Sequence, residues 1–224
     1  MARTKREIQG LIFDFDGTLA ELNLDFAAMR QGVHRLAREA GFGGDWPGGH
    51  LLEEIQRLER RPELAGVGFA RRALELIQAI ELEAAGRGRL FDFTRPMLAR
   101  CRELGLGLAV VSRNSAAAIR RVFPDLEQAV DAFLPREAAP RPKPHPDHLL
   151  RACRRLRLEP DHCAMVGDHP TDLEAARAAG CLAVGVTSGR TPAAELEAAG
   201  AELVLPDASA LAAVLEGMGA GASG

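Results

Sequence analysis

The sequence has no tyrosine, and only two of its 28 basic residues, Lys5 and Lys143, are lysine. Acids number 31, which leaves a formal charge of −3. No global basic field exists, so nucleic acid is not an expected partner. No apolar run approaches the roughly 18 residues of a membrane span. The basic start, Met1–Arg6, leads into a short apolar stretch broken by Asp14 and Asp16, and a signal peptide is not expected there. Only four cysteines occur, Cys101, Cys153, Cys163 and Cys181, with no CxxC pair and no histidine at metal-ligand spacing. They read as reduced, buried small hydrophobes. A soluble, cytoplasmic protein is the expectation.

What is present is ordinary globular material, 47% hydrophobic and 26% charged over 224 residues. A chain of this length buries enough surface to fold without a disulfide or zinc staple. Two textures divide it. Short apolar runs at 8–15, 106–112, 163–167, 182–186 and 203–205 read as strands. Amphipathic segments at 115–123, 146–156, 171–179, 192–199 and 208–215 read as helices. Gly180 and Gly200 stand where left-handed helix caps are wanted. Strands alternating with such helices imply right-handed βαβ units and a parallel sheet.

The stretch from 20 to 90 differs. It shows no strand-like run and carries three helical patterns, 25–40, 50–61 and 68–85, joined by a glycine-rich loop at 41–49 and by a turn at 62–67. The predicted organisation is an α/β core from residues 1–19 and 91–216, a small helical domain at 20–90 inserted after the first strand, and a flexible tail at 217–224.

Four pieces of sequence carry chemistry. Asp14-Phe15-Asp16-Gly17-Thr18-Leu19 closes the first strand, and ligands of an open parallel sheet bind outside the carboxyl ends of its strands. Two carboxylates this close are costly without a cation or a proton between them. Ser112-Arg113-Asn114 follows the strand at 106–111, where a hydroxyl and main-chain N–H groups can hold an anion. Taken alone, a Ser or Asn there is more often only an N-cap. Lys143 stands in Arg141-Pro142-Lys143-Pro144-His145-Pro146. A lysine in a chain that otherwise writes arginine points to a need for a compact ammonium rather than a planar fork. As a charged loop residue it is expected to add little to folding stability. Gly167-Asp168 ends the strand at 163–167, and Asp172 falls one helical turn further on, where it could equally serve as a helix cap.

In this order the four pieces resemble the motifs of the haloacid dehalogenase superfamily: DxDGT(L), a Ser or Thr, a lysine in a KPxP setting, and GDxxxD. The resemblance covers about two thirds of the chain and is closest to the phosphoglycolate phosphatase-like branch. It implies a Rossmann-like parallel sheet with a helical C1 cap at 20–90, and Mg²⁺-dependent hydrolysis of a small phosphate monoester through an aspartyl-phosphate. On that implication Asp14 is the nucleophile and Asp16 the acid and base. Lys143 neutralises charge, and Ser112, Arg113 and Asn114 cradle the phosphate. Asp14, the Asp16 main chain and Asp168 hold Mg²⁺, with Asp172 behind them orienting a metal water or Lys143. Asp16 sets the chain apart from dehalogenases and phosphonatases, which lack it. A phosphomutase keeps Asp16 and is the enzymatic alternative; a non-catalytic binding protein on the same scaffold is the other. The partner implied is a small phosphorylated metabolite, with monomer and homodimer both open. Within 20–90 the candidate substrate readers are the 41–49 loop with Trp46, His50, and the turn at 62–68.

Overall fold

The computed structural model describes residues 7–214. The chain divides into two compact units, one formed by Asn23–Arg87 and the other by the residues before and after it. The tail at 217–224 and the last residue of the helix expected at 208–215 lie outside the described residues.

The Asn23–Arg87 unit contains α1 (Phe26–Glu39), α2 (Leu51–Leu58) and α3 (Phe69–Ala85). Asp25 starts α1 by accepting the Ala28 N–H at 2.8 Å, the ordinary use of a short acidic side chain at an N-cap. Met29, Val33 and Ala37 of α1, Ile55 and Leu58 of α2, and Phe69, Ala73 and Ile77 of α3 are buried. Their i, i+3 or i, i+4 spacing gives each helix one apolar stripe. Glu54 is wholly buried among them, and it is paired to Arg30 and, at 2.9 Å, to His34. Trp46 stacks on the His34 ring with centroids 3.7 Å apart and meets Phe42 edge-on. The structure thus gives this candidate reader a packing role inside its own unit. His50 occupies the N-cap position of α2.

The other unit is built on β1 (Gly10–Phe13), β2 (Ala20–Glu21), β3 (Arg89–Leu90), β4 (Gly107–Val111), β5 (Ala132–Leu134), β6 (Cys163–Gly167), β7 (Leu182–Val186) and β8 (Leu203–Leu205). Six of these form one parallel sheet in the order β5-β4-β1-β6-β7-β8, while β2 and β3 pair antiparallel, Ala20 opposite Leu90. Its helices are α4 (Thr94–Glu103), α5 (Ala116–Val122), α6 (Leu126–Ala129), α7 (Asp147–Leu156), α8 (Pro170–Ala179) and α9 (Ala193–Ala198).

The central strands are buried on both faces and therefore read as continuous apolar runs. Ile12, Ala109, Val111 and Met165 enter a core with Leu149 and Cys153 of α7, Leu173 and Ala176 of α8, and Leu196 of α9. Leu11, Phe13, Leu108 and Val110 alternate with them and are fully buried on the opposite face. Each such side chain contributes about 1.5–3 kcal/mol of transfer free energy. The four cysteines form no disulfide and are buried, with Cys153 Sγ 3.9 Å from Cys181 Sγ.

Several short elements escape the sequence reading. β2 and β3 lie at the two ends of the stretch read as strand-free, and at two residues each they carry no periodicity. The three-residue β5 and four-residue α6 are equally silent in the sequence pattern, and the ten-residue α4 is a helix that pattern does not announce. Among the described residues no helix is long and apolar enough to cross a membrane.

Candidate active site

The chain runs outward from β1 through β4 to β5 and then returns to the other side of β1 to form β6. Such a reversal leaves a crevice at the carboxyl ends of the central strands. Asp14 follows β1, Ser112 follows β4 and Asp168 follows β6.

Asp14 and Asp16 do not share a strand face, because β1 ends at Phe13. The Asp14 N–H still donates to Val166 O at 2.9 Å, which fixes the backbone beside β6. The chain then turns: Leu19 and Ala20 N–H groups both donate to Phe15 O, and Gly17 N–H donates to Ala20 O at 2.7 Å. This turn brings Leu22 N–H to within 2.8 Å of an Asp16 carboxylate oxygen. Gly17 adopts φ 84°, and a Cβ on it would lie 2.2 Å from Asp168 Oδ2. The residue after Asp16 must therefore be glycine for two reasons, backbone conformation and close approach. Thr18 Oγ1 donates to Asp168 Oδ1 at 3.3 Å.

Lys143 is not a surface loop residue. Its side chain is 1% exposed, and Nζ lies 2.9 Å from Asp14 Oδ1 and 2.7 Å from Asp172 Oδ1. Asp172 serves two masters. Its Oδ2 accepts the His169 N–H at 3.1 Å and completes a capping box on α8, while Oδ1 faces Lys143. One oxygen thus caps α8 and the other meets the Lys143 ammonium.

Ser112 is 2% exposed, and its Oγ accepts the Asn114 N–H at 3.2 Å. The Arg113 guanidinium reaches the main-chain carbonyl of Lys143, tying the β4 loop to the lysine loop. Arg136, unremarked in the sequence, donates from its side chain to Arg113 O at 3.3 Å and from its N–H to Asn114 O at 3.0 Å. The Asn114 side-chain amide nitrogen is buried without a hydrogen-bond partner.

The electrostatics follow from burial. Asp14 is held above the ordinary carboxylate range because desolvation outweighs the opposing pull of Lys143. Burial pushes Asp16 up to about 6. Burial, reinforced by Asp14, Asp172 and Asp16, pushes Asp168 up to about 8. For Lys143 burial acts downward, yet Asp14 and Asp172 prevail and its pKa is raised. Carboxylate oxygens of Asp14, Asp168 and Asp172 lie within 4.8 Å of one another. One lysine does not balance this excess of acid, and the all-oxygen donor set suits a hard divalent cation such as Mg²⁺.

The sequence reading did not find the loop after β7. Ser188 Oγ donates to Gly17 O at 2.7 Å, and a Cβ on Gly189 would lie 1.9 Å from Asp168 Oδ2. The rule that found the other loops, position at a strand's carboxyl end, could have found this one too.

The sheet order and these strand-end acids define a Rossmann-like hydrolase core. The haloacid dehalogenase-like hydrolase family model matches residues 8–180, and the chain belongs to that family. It is 29% identical over 209 residues to a phosphoglycolate phosphatase of Chromobacterium violaceum, covering 86% of this chain and 91% of that protein. A phosphoglycolate phosphatase of Neisseria meningitidis is 30% identical over 201 residues, covering 81% of each. A haloacid dehalogenase-like hydrolase from Bacteroides fragilis superposes with a TM-score of 0.69 at 23% identity, covering 91% of this chain and 99% of that one; this likeness speaks for the fold alone.

Proposed function

We propose that the protein is a Mg²⁺-dependent phosphatase acting on a small phosphate monoester of the phosphoglycolate type, through an aspartyl-phosphate. One observation carries the reading. Asp14 sits at the end of the central strand with a buried ammonium 2.9 Å from its carboxylate, and Asp16 is beside it with a pKa of about 6. An acid near neutrality can both give and take a proton at working pH. Asp14 attacks phosphorus and forms an acyl phosphate, while Asp16 protonates the departing alkoxide. Asp16 then takes a proton from the water that attacks phosphorus, releasing phosphate and restoring Asp14. Lys143 offsets the charge on Asp14 and the phosphoryl oxygens, and Ser112, with the N–H groups of Arg113 and Asn114, holds those oxygens. Asp172 fixes Lys143 and caps α8 with the same carboxylate.

Mg²⁺ would be held by the Asp14 and Asp168 carboxylates and the Asp16 main-chain carbonyl, and when bound would neutralise charge on the phosphoryl group. The fit rests on the raised Asp168 pKa and on Gly17 and Gly189, which leave the Asp168 carboxylate no space to retreat. The Asn23–Arg87 unit takes the sequence position of the family's C1 cap.

Phosphate release from 2-phosphoglycolate and para-nitrophenyl phosphate, with Mg²⁺ and with a chelator, tests the reading. Asp14→Asn should abolish turnover, because an amide is not a competent nucleophile. Activity within about tenfold of wild type, a barrier change of only about 1.4 kcal/mol, would refute the mechanism.

A further inference from the structure

Arg136 opens the single 3₁₀ turn that follows β5, and it is only 8% exposed. The residues around it grip the loop after β4 one main-chain group after another. Leu134 O accepts the Ser112 N–H at 3.1 Å, and the Glu137 carboxylate accepts the Ala116 N–H at 3.2 Å. Between these two contacts Arg136 supplies both donors. Its guanidinium donates to Arg113 O at 3.3 Å, and its own N–H donates to Asn114 O at 3.0 Å.

The carbonyls so held decide where the loop's donors point. In a planar trans peptide the C=O of one residue and the N–H of the next face opposite ways. A hold on Arg113 O therefore turns the Asn114 N–H away from Arg136, and that N–H meets Ser112 Oγ at 3.2 Å. The contact at Asn114 O fixes the peptide that follows. A guanidinium on a carbonyl also polarises that peptide and strengthens the N–H at its other end as a donor. Arg113 carries the constraint onward, since its guanidinium reaches the Lys143 main-chain carbonyl. One buried side chain thus stands behind the loop that bears Ser112 and, through Arg113, behind the loop that bears Lys143.

We propose that Arg136 is a positioning residue for the phosphoryl group. Without touching the substrate, its side chain orients the 112–114 loop so that the Ser112 hydroxyl and the Asn114 N–H face the phosphoryl oxygens together. The inference rests on the phosphatase reading above. It assigns the grip to the side chain, because the main-chain contact at Asn114 O is open to any residue but proline at 136.

The test uses wild type, Arg136→Gln and Arg136→Lys. Glutamine stays polar in a buried place but ends two bonds short of the nitrogen that holds Arg113 O, and lysine keeps one donor on most of the reach. Hydrolysis of para-nitrophenyl phosphate with Mg²⁺, and its competitive inhibition by orthophosphate, are measured well below each melting temperature. Arg136→Gln should raise KM and the orthophosphate inhibition constant together by about 10-fold, with kcat changed by less than about threefold. Arg136→Lys should fall between it and wild type, at about threefold. A merely structural role would move neither constant, because partial unfolding lowers kcat while the molecules still folded bind phosphate as before. Unchanged KM and inhibition constant in Arg136→Gln, with or without a fall in kcat, would overturn the inference and leave the phosphatase reading in place. If Arg136→Gln does not fold, Arg136→Lys decides alone, and wild-type values of both constants would overturn the inference. No phosphate release by wild type would overturn the phosphatase reading and this inference with it.

Discussion

Replacing Lys143 by methionine keeps most of the side-chain stem and removes only the ammonium. Nζ lies 2.7 Å from Asp172 Oδ1 and 2.9 Å from Asp14 Oδ1, and the lysine and Asp172 side chains are each 1% exposed. At an effective dielectric of about 20, each contact represents about 6 kcal/mol of gross attraction. Desolvation of the three groups offsets much of that, so the cost of the substitution is set by the uncompensated acids it leaves. One-sided removal from a buried pair costs about 3–5 kcal/mol. That is a large share of a typical stability of about 5–15 kcal/mol, and for a chain of this size it corresponds to a melting shift of about 6–20 °C. The cost should depend on pH. Burial already holds Asp14 above its ordinary value, and loss of Lys143 removes the strongest opposing influence. A carboxyl whose folded pKa is raised stabilises the fold while protonated and loses that contribution as pH rises through the folded pKa. A proton can therefore substitute for the missing ammonium at pH 5 but less well at pH 8. Urea denaturation without Mg²⁺ should show the larger deficit at pH 8, partly recovered by adding Asp172→Asn. A deficit below about 1 kcal/mol at pH 8, or the same deficit at both pH values, would refute the reasoning.

Gly189→Ala should push the Asp168 carboxylate aside, since the new Cβ would lie 1.9 Å from Oδ2. Disturbing a metal site's support typically costs about 10- to 100-fold in affinity, so half-saturation by Mg²⁺ should rise on that scale; an unchanged Mg²⁺ titration would count against Asp168 as a ligand. His148 is fully buried with Nε2 3.0 Å from Leu134 O, and burial, then the charge of Lys143, lowers its pKa from 6.5 to about 3. Below about pH 6.5 the unfolded chain takes a proton that the folded one refuses, costing about 1.4 kcal/mol per pH unit. The stability advantage of wild type over His148→Leu should narrow at that slope between pH 6 and pH 4, and a pH-independent difference would show that His148 is not held neutral.

What was legible in the sequence was local. A strand end is visible as an apolar run followed by a polar residue, which is why Asp14, Ser112 and Asp168 could be placed at strand ends from their neighbours alone. A capping box is four residues long, so Asp172 could be suspected as a cap from its neighbours, while its link to Lys143 came only as one of two roles the family resemblance implies. What joins the site is not local. Thr18 meets Asp168 and Ser188 meets Gly17 across 150 and 171 positions, and no spacing rule spans such distances. The two-residue strands β2 and β3 were missed for a related reason. They exist because the chain leaves and re-enters the unit side by side, with Ala20 opposite Leu90, and neither segment declares it alone.

The same contrast explains the lone lysine of the motif. Twenty-six arginines satisfy this chain wherever a cation sits at a surface or in an open pair. At position 143 the cation must fit where two carboxylates approach a single nitrogen to 2.9 and 2.7 Å with almost no access to water. An ammonium presents three donors from one point and meets both acids with one atom. A guanidinium is longer and spreads its charge over a planar fork, so it cannot place one nitrogen at that same point without crowding Asp14 or Asp172. Composition hinted that something at 143 excluded arginine. The geometry supplies the excluding agent, which is not the charge of the residue but the closeness of Asp14 and Asp172 to one point.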